Sequence, residues 1–458
     1  MKIAILGGGF TGLSVSYYLA KKGHTITLFE KENILGGLAV GFKEKNWNWY
    51  LERSYHHLFA NDYDILNFAK ETEFRKIIFR SPQTASLYST HCHPEFTRLA
   101  AKRVSGSDFS GIPNQVRDDP ERNGVNYCIF PLDTPQDFLR FPLLSWPDKF
   151  RSAAVLAFLK FSPFLTAFEK QTAQEFLKKY MGREAWNTLW QQLFRKKFGK
   201  YAGNILASFI WARIKKRTKQ LGYVEGGFQT FIDYLEKEIA KMGVLIKKRC
   251  NVSLMEKRGE KFTVYYENSK KQFDSVVSTL PTAVLEKNTT NMLPTDYLAR
   301  FKKLKYLHAV NLVLETKEPL LKKTYWLNVC TPKLPLMALV QHTNFMDKKN
   351  YGGNNILYIG WYVDGNDKLL KMSAEEIAKY IQPHLLQINS KVDSLKSKVY
   401  LFKDSFAQPI FDRDFVKNKP DFITPVKNFY IVNLDMTYPY DRGTNYAVKL
   451  GKQVSEMI

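Results

Sequence analysis

Four residues near the start of the chain have the types and the spacing of a nucleotide-phosphate site. Gly7, Gly9 and Gly12 form the pattern G-x-G-x-x-G, and Glu30 follows 18 residues after the last glycine. The first glycine permits a tight turn, the second lets a phosphate approach the backbone, and the third allows a helix and a strand to pack closely. A carboxylate at this distance is placed to bind ribose hydroxyls. The pattern indicates a dinucleotide site, and a side chain added at Gly9 is expected to block the pyrophosphate.

The segments around these residues follow the order strand, turn, helix, strand that such a site requires. Residues 2–6 read KIAIL, an apolar run of strand length, and the glycine turn follows directly. Residues 13–22 have the composition of a helix, and Gly23 behind them is a typical C-terminal stop. A β-rich run at 25–29 leads into the acid. The start of the helix would offer free N–H groups and the positive end of its dipole to the phosphates.

A second glycine pair, Gly36 and Gly37, points to the kind of dinucleotide. Residues 7–37, GGGFTGLSVSYYLAKKGHTITLFEKENILGG, resemble the FAD-dependent amine oxidase superfamily, in which this pair lies beside the flavin side of the cofactor. An arginine often follows the pair there, whereas this chain has Leu38 and Ala39. That departure favours a divergent branch, similar to protoporphyrinogen oxidases and phytoene desaturases and more distantly to UDP-galactopyranose mutases. The resemblance implies an α/β fold with a Rossmann-like, glutathione reductase-type FAD-binding domain and a second, α+β substrate domain.

The same resemblance implies which residues contact FAD. Near the C-terminus, MTYPYDRGTNYAVKLG is similar to a helix start that points at N1 and O2 of the flavin. Asp435 stands where many relatives carry an acid near the ribityl chain or pyrophosphate, although Leu434 replaces the usual preceding glycine. Val252 matches a valine whose backbone holds the adenine. The predicted cofactor-binding residues are Gly7, Gly9, Phe10, Thr11, Gly12, Glu30, Lys31, Gly36, Gly37, Leu38, Val252, Asp435, Gly443, Thr444 and Asn445.

Two adjacent histidines, His56 and His57, are the candidate catalytic residues. They end the run ERSYHH at 52–57, which resembles the Glu-Arg-aromatic-His-His pattern of bacterial relatives of protoporphyrinogen oxidase, with Ser54 inserted before the aromatic residue. A histidine near the isoalloxazine would donate to N5 or O4 or move a proton; the alternative is that both histidines pack structurally. Because adjacent strand residues face opposite sides, at most one is expected to face the flavin. No third ligand lies nearby in the sequence, so no metal site is predicted. His342 is a further candidate, for which burial in a sheet is the favoured alternative.

Composition limits the class of protein and of partner. The 458 residues suggest two or three domains, and 68 Lys and Arg against 44 Asp and Glu give a net charge of +24. Such a charge fits either an anionic partner, with membrane lipid as one option, or a basic solvated surface. No nucleic-acid motif accompanies it. The four cysteines are far apart and predict neither a zinc site nor a disulfide framework. We therefore expect a bacterial cytoplasmic protein, with peripheral contact at the inner membrane face as an option.

The predicted domains are discontinuous. The FAD-binding domain is expected at 1–60, 222–290 and 395–458, and the substrate domain with a helical cap at 61–221 and 291–394. Residues 90–126 are interpreted as a flexible insertion, because only five of the 25 residues at 102–126 are aliphatic or aromatic. We expect residues 102–126 to be dispensable for folding and flavin binding.

The function predicted from these features is an FAD-dependent oxidoreductase that takes a hydride from an organic small-molecule substrate. A stretch rich in Leu, Phe, Trp and Pro at 130–169 fits a hydrophobic or lipid-linked substrate, or simply a helical cap with an apolar core. No second G-x-G-x-x-G is visible for NADPH, so oxygen, a quinone or another acceptor would reoxidise the flavin. The alternatives are a flavin-dependent sugar-nucleotide isomerase like UDP-galactopyranose mutase, for which Arg53 and Arg213 are available, and a non-catalytic flavin-binding protein.

Overall fold

The structure is a computed structural model and describes residues 1–89, 127–289 and 292–458. The insertion predicted at 90–126 lies outside the described residues. The chain divides into two compact units. The first unit comprises 1–79, 216–306 and 406–458, and the second comprises 80–215 and 307–405.

Twenty strands are described, numbered in chain order. They are β1 Lys2–Leu6, β2 Thr25–Phe29, β3 Gly41–Phe42, β4 Leu51–Glu52, β5 Leu58–Phe59, β6 Ile77–Arg80, β7 Gln83–Ser89, β8 Tyr127–Pro131, β9 Leu221–Val224, β10 Leu245–Lys247, β11 Val252–Arg258, β12 Lys261–Tyr266, β13 Ser269–Phe273, β14 Ser275–Ser278, β15 Tyr306–Thr316, β16 Thr324–Val329, β17 Ala338–Gln341, β18 Asn355–Val363, β19 Lys398–Pro409 and β20 Phe429–Ile431.

The α-helices are numbered in the same way. They are α1 Phe10–Lys21, α2 Tyr63–Glu71, α3 Pro135–Arg140, α4 Trp146–Phe161, α5 Leu165–Glu169, α6 Ala173–Tyr180, α7 Arg183–Ala185, α8 Gln191–Phe198, α9 Ala207–Lys216, α10 Phe228–Lys241, α11 Thr282–Asn288, α12 Thr295–Phe301, α13 Ala374–Ile388, α14 Arg413–Asn418 and α15 Thr444–Met457. A π-helix at Trp186–Trp190 joins α7 to α8, and short 3-10 helices include Gly37–Ala39, His342–Asn344 and Leu434–Thr437.

The first unit is built on a five-stranded parallel sheet in the order β10-β2-β1-β14-β20. Strand β1 is central, and its residues from Ile3 to Leu6 are fully buried. A strand covered on both faces reads as a continuous apolar run, which is why KIAIL shows no polar alternation. Helix α1 connects β1 to β2, so the predicted strand–turn–helix–strand unit is confirmed. The helix begins at Phe10, inside the glycine turn and earlier than predicted.

Three small sheets complete the first unit. They are an antiparallel sheet β11-β12-β13, the pair β3-β4, and the sheet β5-β9-β6. Helix α2 lies in the range 61–221 that the sequence assigned to the substrate domain. In the structure α2 belongs to the first unit. It packs against α1, with the Phe68 and Tyr17 rings 5.4 Å apart, and its Ile65 N–H donates a hydrogen bond to Asn445 of α15. The assignment of one unit to FAD and the other to substrate stays a prediction.

The second unit is built around a mixed seven-stranded sheet in the order β19-β15-β18-β17-β16-β7-β8. Strands β16 and β7 run parallel, whereas β15–β18, β18–β17, β17–β16 and β7–β8 are antiparallel. The core on this sheet includes Leu312, Leu327, Leu339 and Leu357, and helix α13 covers it with Ile381. The alternating apolar residues of 304–363 predict strands, and β15 to β18 form the centre of this mixed sheet.

Four aromatic residues of the second unit, Trp186, Trp190, Phe194 and Phe198, are spaced four residues apart, and this spacing predicts a stripe on one helical face. Three of the four side chains are buried, with the Phe194 ring 5.4 Å from Trp186 and 5.7 Å from Phe198. Trp190 is only half-buried. The π-helix changes the angular spacing between the two tryptophans, so a stripe drawn at α-helical spacing misplaces Trp190.

A buried carboxyl links three elements of the first unit. Glu52 on β4 has no exposed surface. Its Oε2 accepts a hydrogen bond from the Tyr223 hydroxyl of β9 at 2.7 Å, and its Oε1 accepts one from the Phe228 backbone N–H at 2.7 Å. Phe228 is the first residue of α10, so the carboxyl bonds an N–H that the helix itself cannot satisfy. Burial raises the pKa of Glu52 from 4.5 to about 7, against the lowering effect of these hydrogen bonds.

We expect Glu52→Gln to flatten the pH dependence of stability. A carboxyl with its folded pKa at about 7 and its unfolded value at 4.5 contributes stability that is complete below the unfolded pKa and is lost as the pH rises through the folded one. The loss in the free energy of unfolding is about 3 kcal/mol across this window. Urea unfolding at a series of pH values measures it. The exposed Glu260 provides the control variant, Glu260→Gln. An unchanged slope in Glu52→Gln would contradict the assignment.

Candidate cofactor-binding and active site

The turn between β1 and α1 requires glycine for two separate reasons. Gly7 has φ +103, a backbone conformation that other residues rarely adopt, and its N–H donates to the Phe29 carbonyl at 2.8 Å. A Cβ on Gly7 would lie 2.5 Å from Thr279 Oγ1. A Cβ on Gly12 would collide with the Gly7 carbonyl oxygen, because α1 and the turn are in direct contact there. The structural roles predicted for these two glycines fit this geometry.

Gly9 differs from both, because the protein itself has room for a side chain at this position. Its backbone is ordinary, with φ −75, and the nearest atom to an added Cβ is Gly37 Cα at 3.7 Å. Gly36 forms a bridge to Gly9, and its N–H donates to the Gly8 carbonyl at 2.9 Å. A glycine that packing does not require is expected where a ligand needs the space. The cradle at Gly9 therefore fits a pyrophosphate, and the two glycine motifs meet there.

Glu30 lies at the end of β2, directly beside the glycine turn. Its carboxylate accepts hydrogen bonds from the Gly8 N–H at 2.7 Å and from the Glu32 N–H at 3.0 Å. The backbone of Glu30 is fixed as well, since it bonds Lys247 and Cys250 on either side. An ionised carboxylate has about four lone-pair sites, so two remain for ribose hydroxyls. Its geometry fits the predicted role.

The other residues of this region that are predicted to contact FAD differ in how exposed their side chains are. Lys31 is exposed and forms an ion pair with Glu32 at 3.6 Å. Phe10 is buried against Phe231, with ring centroids 5.7 Å apart, so its side chain belongs to the core. Thr11 is half-buried near the start of α1, and Leu38 is exposed in the 3-10 helix Gly37–Ala39. Phe10 can contribute only its backbone N–H to a phosphate, whereas Thr11 also has a side-chain hydroxyl that can donate.

The C-terminal helix α15 starts at Thr444, after an exposed Gly443. It packs tightly on α1, since a Cβ on Gly451 would overlap Ser14 Oγ. Asn445 is buried, and its side chain accepts from the Ile65 N–H at 3.1 Å and donates to Asp64 Oδ2 at 3.1 Å. The side chain thus holds α2 in place. The N–H groups of Tyr446 and Ala447 donate to the Gly443 carbonyl at 3.1 Å. The N–H groups at the very start of the helix, on Thr444 and Asn445, are the ones that a flavin could engage.

Asp435 carries an acceptor that fits a ligand hydroxyl. It is 2% exposed, and its Oδ2 accepts from the Tyr306 hydroxyl at 2.7 Å. No group in the described parts of the chain meets hydrogen-bond geometry at Oδ1. Burial raises the pKa of Asp435 to about 6, while the hydroxyls of Thr282 and Tyr306 lower it. A buried carboxyl oxygen without a donor is costly, and a ligand hydroxyl would satisfy it.

Val252 begins β11, where its carbonyl accepts from Asn288 Nδ2 at 2.6 Å. A carbonyl oxygen has two lone pairs, so an adenine contact at this backbone remains compatible with the bond. Sequence reasoning missed both Asn288 and Tyr306. Tyr306 lies 129 residues from Asp435, and no spacing pattern signals such a pair.

The two candidate histidines lie between β4 and β5, in residues 53–57 that form no strand. The strand-alternation rule used to separate their roles therefore does not apply, and that part of the prediction was wrong. His56 donates from Nδ1 to the Ser54 carbonyl at 2.6 Å and lies 5.7 Å from the Phe228 ring. His57 packs edge-on against Phe59, with centroids 5.4 Å apart.

The environment of His56 fixes its protonation state. Desolvation lowers its pKa to about 4; the Ser54 carbonyl opposes this, and the positive charge of Arg442 adds to it. His56 is therefore neutral near pH 7. Because a carbonyl only accepts, Nδ1 carries the proton and Nε2 presents a lone pair. The predicted donation from His56 to N5 or O4 is thus corrected, since its free nitrogen is an acceptor. Arg442 is itself held by the Ala407 carbonyl at 2.9 Å and Gln408 Oε1 at 3.1 Å.

His342 belongs to the second unit and is buried, with Nε2 hydrogen-bonded to the Tyr351 hydroxyl at 2.7 Å. Burial lowers its pKa to about 3. It is a core histidine, which was the favoured alternative. Within the ranges that the structure describes, no group of three or more His, Cys, Asp or Glu residues is arranged to hold a metal ion.

Comparison with known proteins decides the family. The model of the flavin-containing amine oxidoreductases matches residues 10–413, most of the chain. The chain belongs to this family. The predictions of a flavin cofactor, of an α/β flavoprotein fold and of the oxidoreductase class are therefore confirmed at the level of the family.

Individual relatives of this flavin oxidoreductase are more remote. Over 103 residues it is 32% identical to 15-cis-phytoene desaturase of Synechococcus elongatus. The match spans 21% of this chain and 22% of the desaturase, about a fifth of each protein. A protein proposed to be a protoporphyrinogen oxidase, from Exiguobacterium sp. 255-15, has a similar structure with TM-score 0.70 and 16% identity, covering 100% of this chain and 98% of its own. Reduced UDP-galactopyranose mutase gives TM-score 0.70 and 13% identity, covering 99% and 94%. At these identities the structures show the fold alone, and they do not separate redox from isomerase chemistry.

We expect Gly9→Val to abolish FAD binding without unfolding the oxidoreductase. The protein leaves ordinary contact distance for a Cβ at Gly9, so the added side chain competes with the ligand and not with the fold. Flavin content after purification in excess FAD should fall below about a tenth of the wild-type value. Gly203→Val is the matched control, because a Cβ there meets no atom within 4 Å. Gly12→Val should instead lose the fold. Full flavin content in Gly9→Val would contradict the cradle.

Proposed function

We propose that this chain is an FAD-dependent oxidoreductase that takes a hydride from a C–H or N–H bond of a hydrophobic or lipid-linked organic substrate. The observation that carries the proposal is the cradle at Gly9, where two glycine motifs meet beside Glu30 and leave space that the fold does not need. FAD supplies the hydride-accepting chemistry when bound, and the protein supplies binding, orientation and electrostatics.

The proposed cofactor contacts divide among the elements of the first unit. The start of α1 would hold the pyrophosphate with its N–H groups and dipole, and Glu30 would bind ribose hydroxyls. Asp435 Oδ1 would accept from a ribityl hydroxyl, which supplies the donor that this buried atom needs. The start of α15, at 443–445, would stabilise negative charge on the ring system.

His56 is the proposed proton-handling residue, with His57 as the second candidate. Its Nδ1–H is committed to the Ser54 carbonyl, so only Nε2 is available to a ligand. A low pKa and the neighbouring positive charge of Arg442 keep the ring neutral at working pH. Nε2 would therefore accept from the N–H that a flavin gains at N5 on reduction, and would favour the reduced form.

A hydrophobic substrate is supported by two observations. The curated relative that matches over 103 residues is named for phytoene, a substrate of this character. The second unit also exposes several large aromatic side chains on one helix. A cytoplasmic enzyme that meets its substrate at a membrane surface would fit both.

Anaerobic mixing tests the proposed reaction. The purified FAD-loaded protein is mixed with phytoene in detergent, with a porphyrinogen and with putrescine, and the absorbance of oxidised flavin is followed. Bleaching by one of these donors supports the proposal. If none of them bleaches the flavin, and the chemically reduced protein converts UDP-galactopyranose, the chain is an isomerase and the proposal fails. If the flavin is not bleached and UDP-galactopyranose is not converted, these three donors are not substrates. A flavin reduction potential too low to accept a hydride from any C–H or N–H donor would then favour a flavin-binding protein without catalysis.

We expect His56→Asn to lower the midpoint potential of the flavin by about 10–30 mV, the equivalent of one neutral hydrogen bond for a two-electron couple. The asparagine amide can still donate to the Ser54 carbonyl, while the acceptor at Nε2 is lost. Because the pKa is about 4, the difference should be constant between about pH 6 and pH 9. His57→Asn is the matched control and should leave the potential unchanged. Equal potentials in wild type and His56→Asn would remove His56 from the site.

A further inference from the structure

We propose that helix α4 of the second unit lies on an anionic lipid bilayer through its exposed aromatic face. This aromatic face is defined as Trp146, Phe150, Phe158 and Phe161 on α4, together with Phe164 just beyond its end. The inference concerns where the protein docks, and it does not depend on which substrate is oxidised.

The five aromatic side chains of this face are 56% to 82% exposed. At 100° per residue, the four on α4 fall within an arc of about 120°. The side chains between them on this arc are the exposed Pro147, Ala154 and Ala157. The opposite side of the helix is buried, at Ser152 and Leu159. The helix therefore packs against the protein on one side and has, on the other, an apolar side that nothing in the described chain covers.

The size of the aromatic face exceeds what single exposed hydrophobic residues explain. Five aromatic side chains at these fractions expose on the order of 600 Å². The largest apolar patch on a typical monomer is roughly 300–600 Å² and often marks an interaction site. Burial of Trp and Phe at the headgroup boundary is the usual way in which an amphipathic helix holds a bilayer.

Positive charge lies at both ends of the aromatic face. At the first end, the exposed Arg151 supplies the charge. Lys149 is buried: it lies over the Trp146 ring at 4.7 Å and donates to the Leu139 carbonyl at 2.7 Å. At the other end, Lys160 donates to the Lys215 carbonyl at 3.0 Å, and Lys215 donates to the Ser162 carbonyl at 2.9 Å. These bonds anchor the two lysines beside Phe161. Asp148 is the only acid in the α4 sequence.

This charge pattern selects an anionic membrane over a second copy of the chain. Two copies that each carry +24 repel one another, whereas anionic lipids attract basic groups near their surface. In the part of the chain that the structure describes, no helix combines the length and the apolar character needed to cross a bilayer. The 16-residue α4 would thus lie in the interface plane.

Vesicle flotation with the FAD-loaded full-length protein tests the proposal. The probes are phosphatidylcholine vesicles with and without about 30% phosphatidylglycerol. We expect binding to the anionic vesicles that weakens at high salt, and an at least tenfold loss in the variant Phe150→Ser/Phe161→Ser/Phe164→Ser. The control is Leu395→Ser/Ile423→Ser, which removes comparably exposed apolar side chains, 60% and 67%, outside the aromatic face. This control should bind as wild type does.

Several outcomes would overturn the proposal. They are no wild-type binding to anionic vesicles, equal binding by the triple variant, and a wild-type dimer that the triple variant converts to a monomer without loss of vesicle binding. Should the triple variant fail to fold, quenching of tryptophan fluorescence by brominated lipid decides instead, since Trp146→Phe should lose most of it. Flavin content and flavin reduction, measured in the same preparations, keep this result separate from the proposed activity. A protein that reduces its flavin but binds no vesicles refutes the docking alone.

Discussion

The contact between Gly12 and the Gly7 carbonyl is the constraint on which the first unit depends. It brings α1 so close to β1 that no side chain fits between them, and it aims the start of the helix at the cradle formed by Gly9. A similar close contact, between Gly451 and Ser14, packs α15 on α1. The N-terminal ends of α1 and α15 are therefore held at fixed positions within the first unit. A cofactor with two separated anionic groups requires two such positions.

Burial also acts on three ionisable groups of the first unit. Desolvation raises the pKa of Glu52 and Asp435 and lowers that of His56. Each shift favours the neutral form, so the interior of the first unit holds less fixed charge than the sequence suggests.

Contact with one anionic membrane would explain both the basic surface and the aromatic face of α4. An exposed apolar helix is a liability for a protein that stays in water, and a high net charge is unfavourable for self-association. At a bilayer, both features stabilise binding. The hydrophobic substrate proposed for this chain would also partition into a bilayer, because it has low solubility in water, and this property would link the docking surface to the proposed chemistry.

The sequence alone determined the nucleotide cradle, because Gly7, Gly9, Gly12 and Glu30 act through local backbone geometry and fixed spacing along one strand–turn–helix–strand unit. The tertiary structure decided what spacing cannot encode. Whether His56 donates or accepts depends on a carbonyl two residues away, on burial, and on a positive charge that the fold brings from near the other end of the chain. Protonation and hydrogen-bond direction follow from the surroundings in space, and residues distant in the chain supply those surroundings.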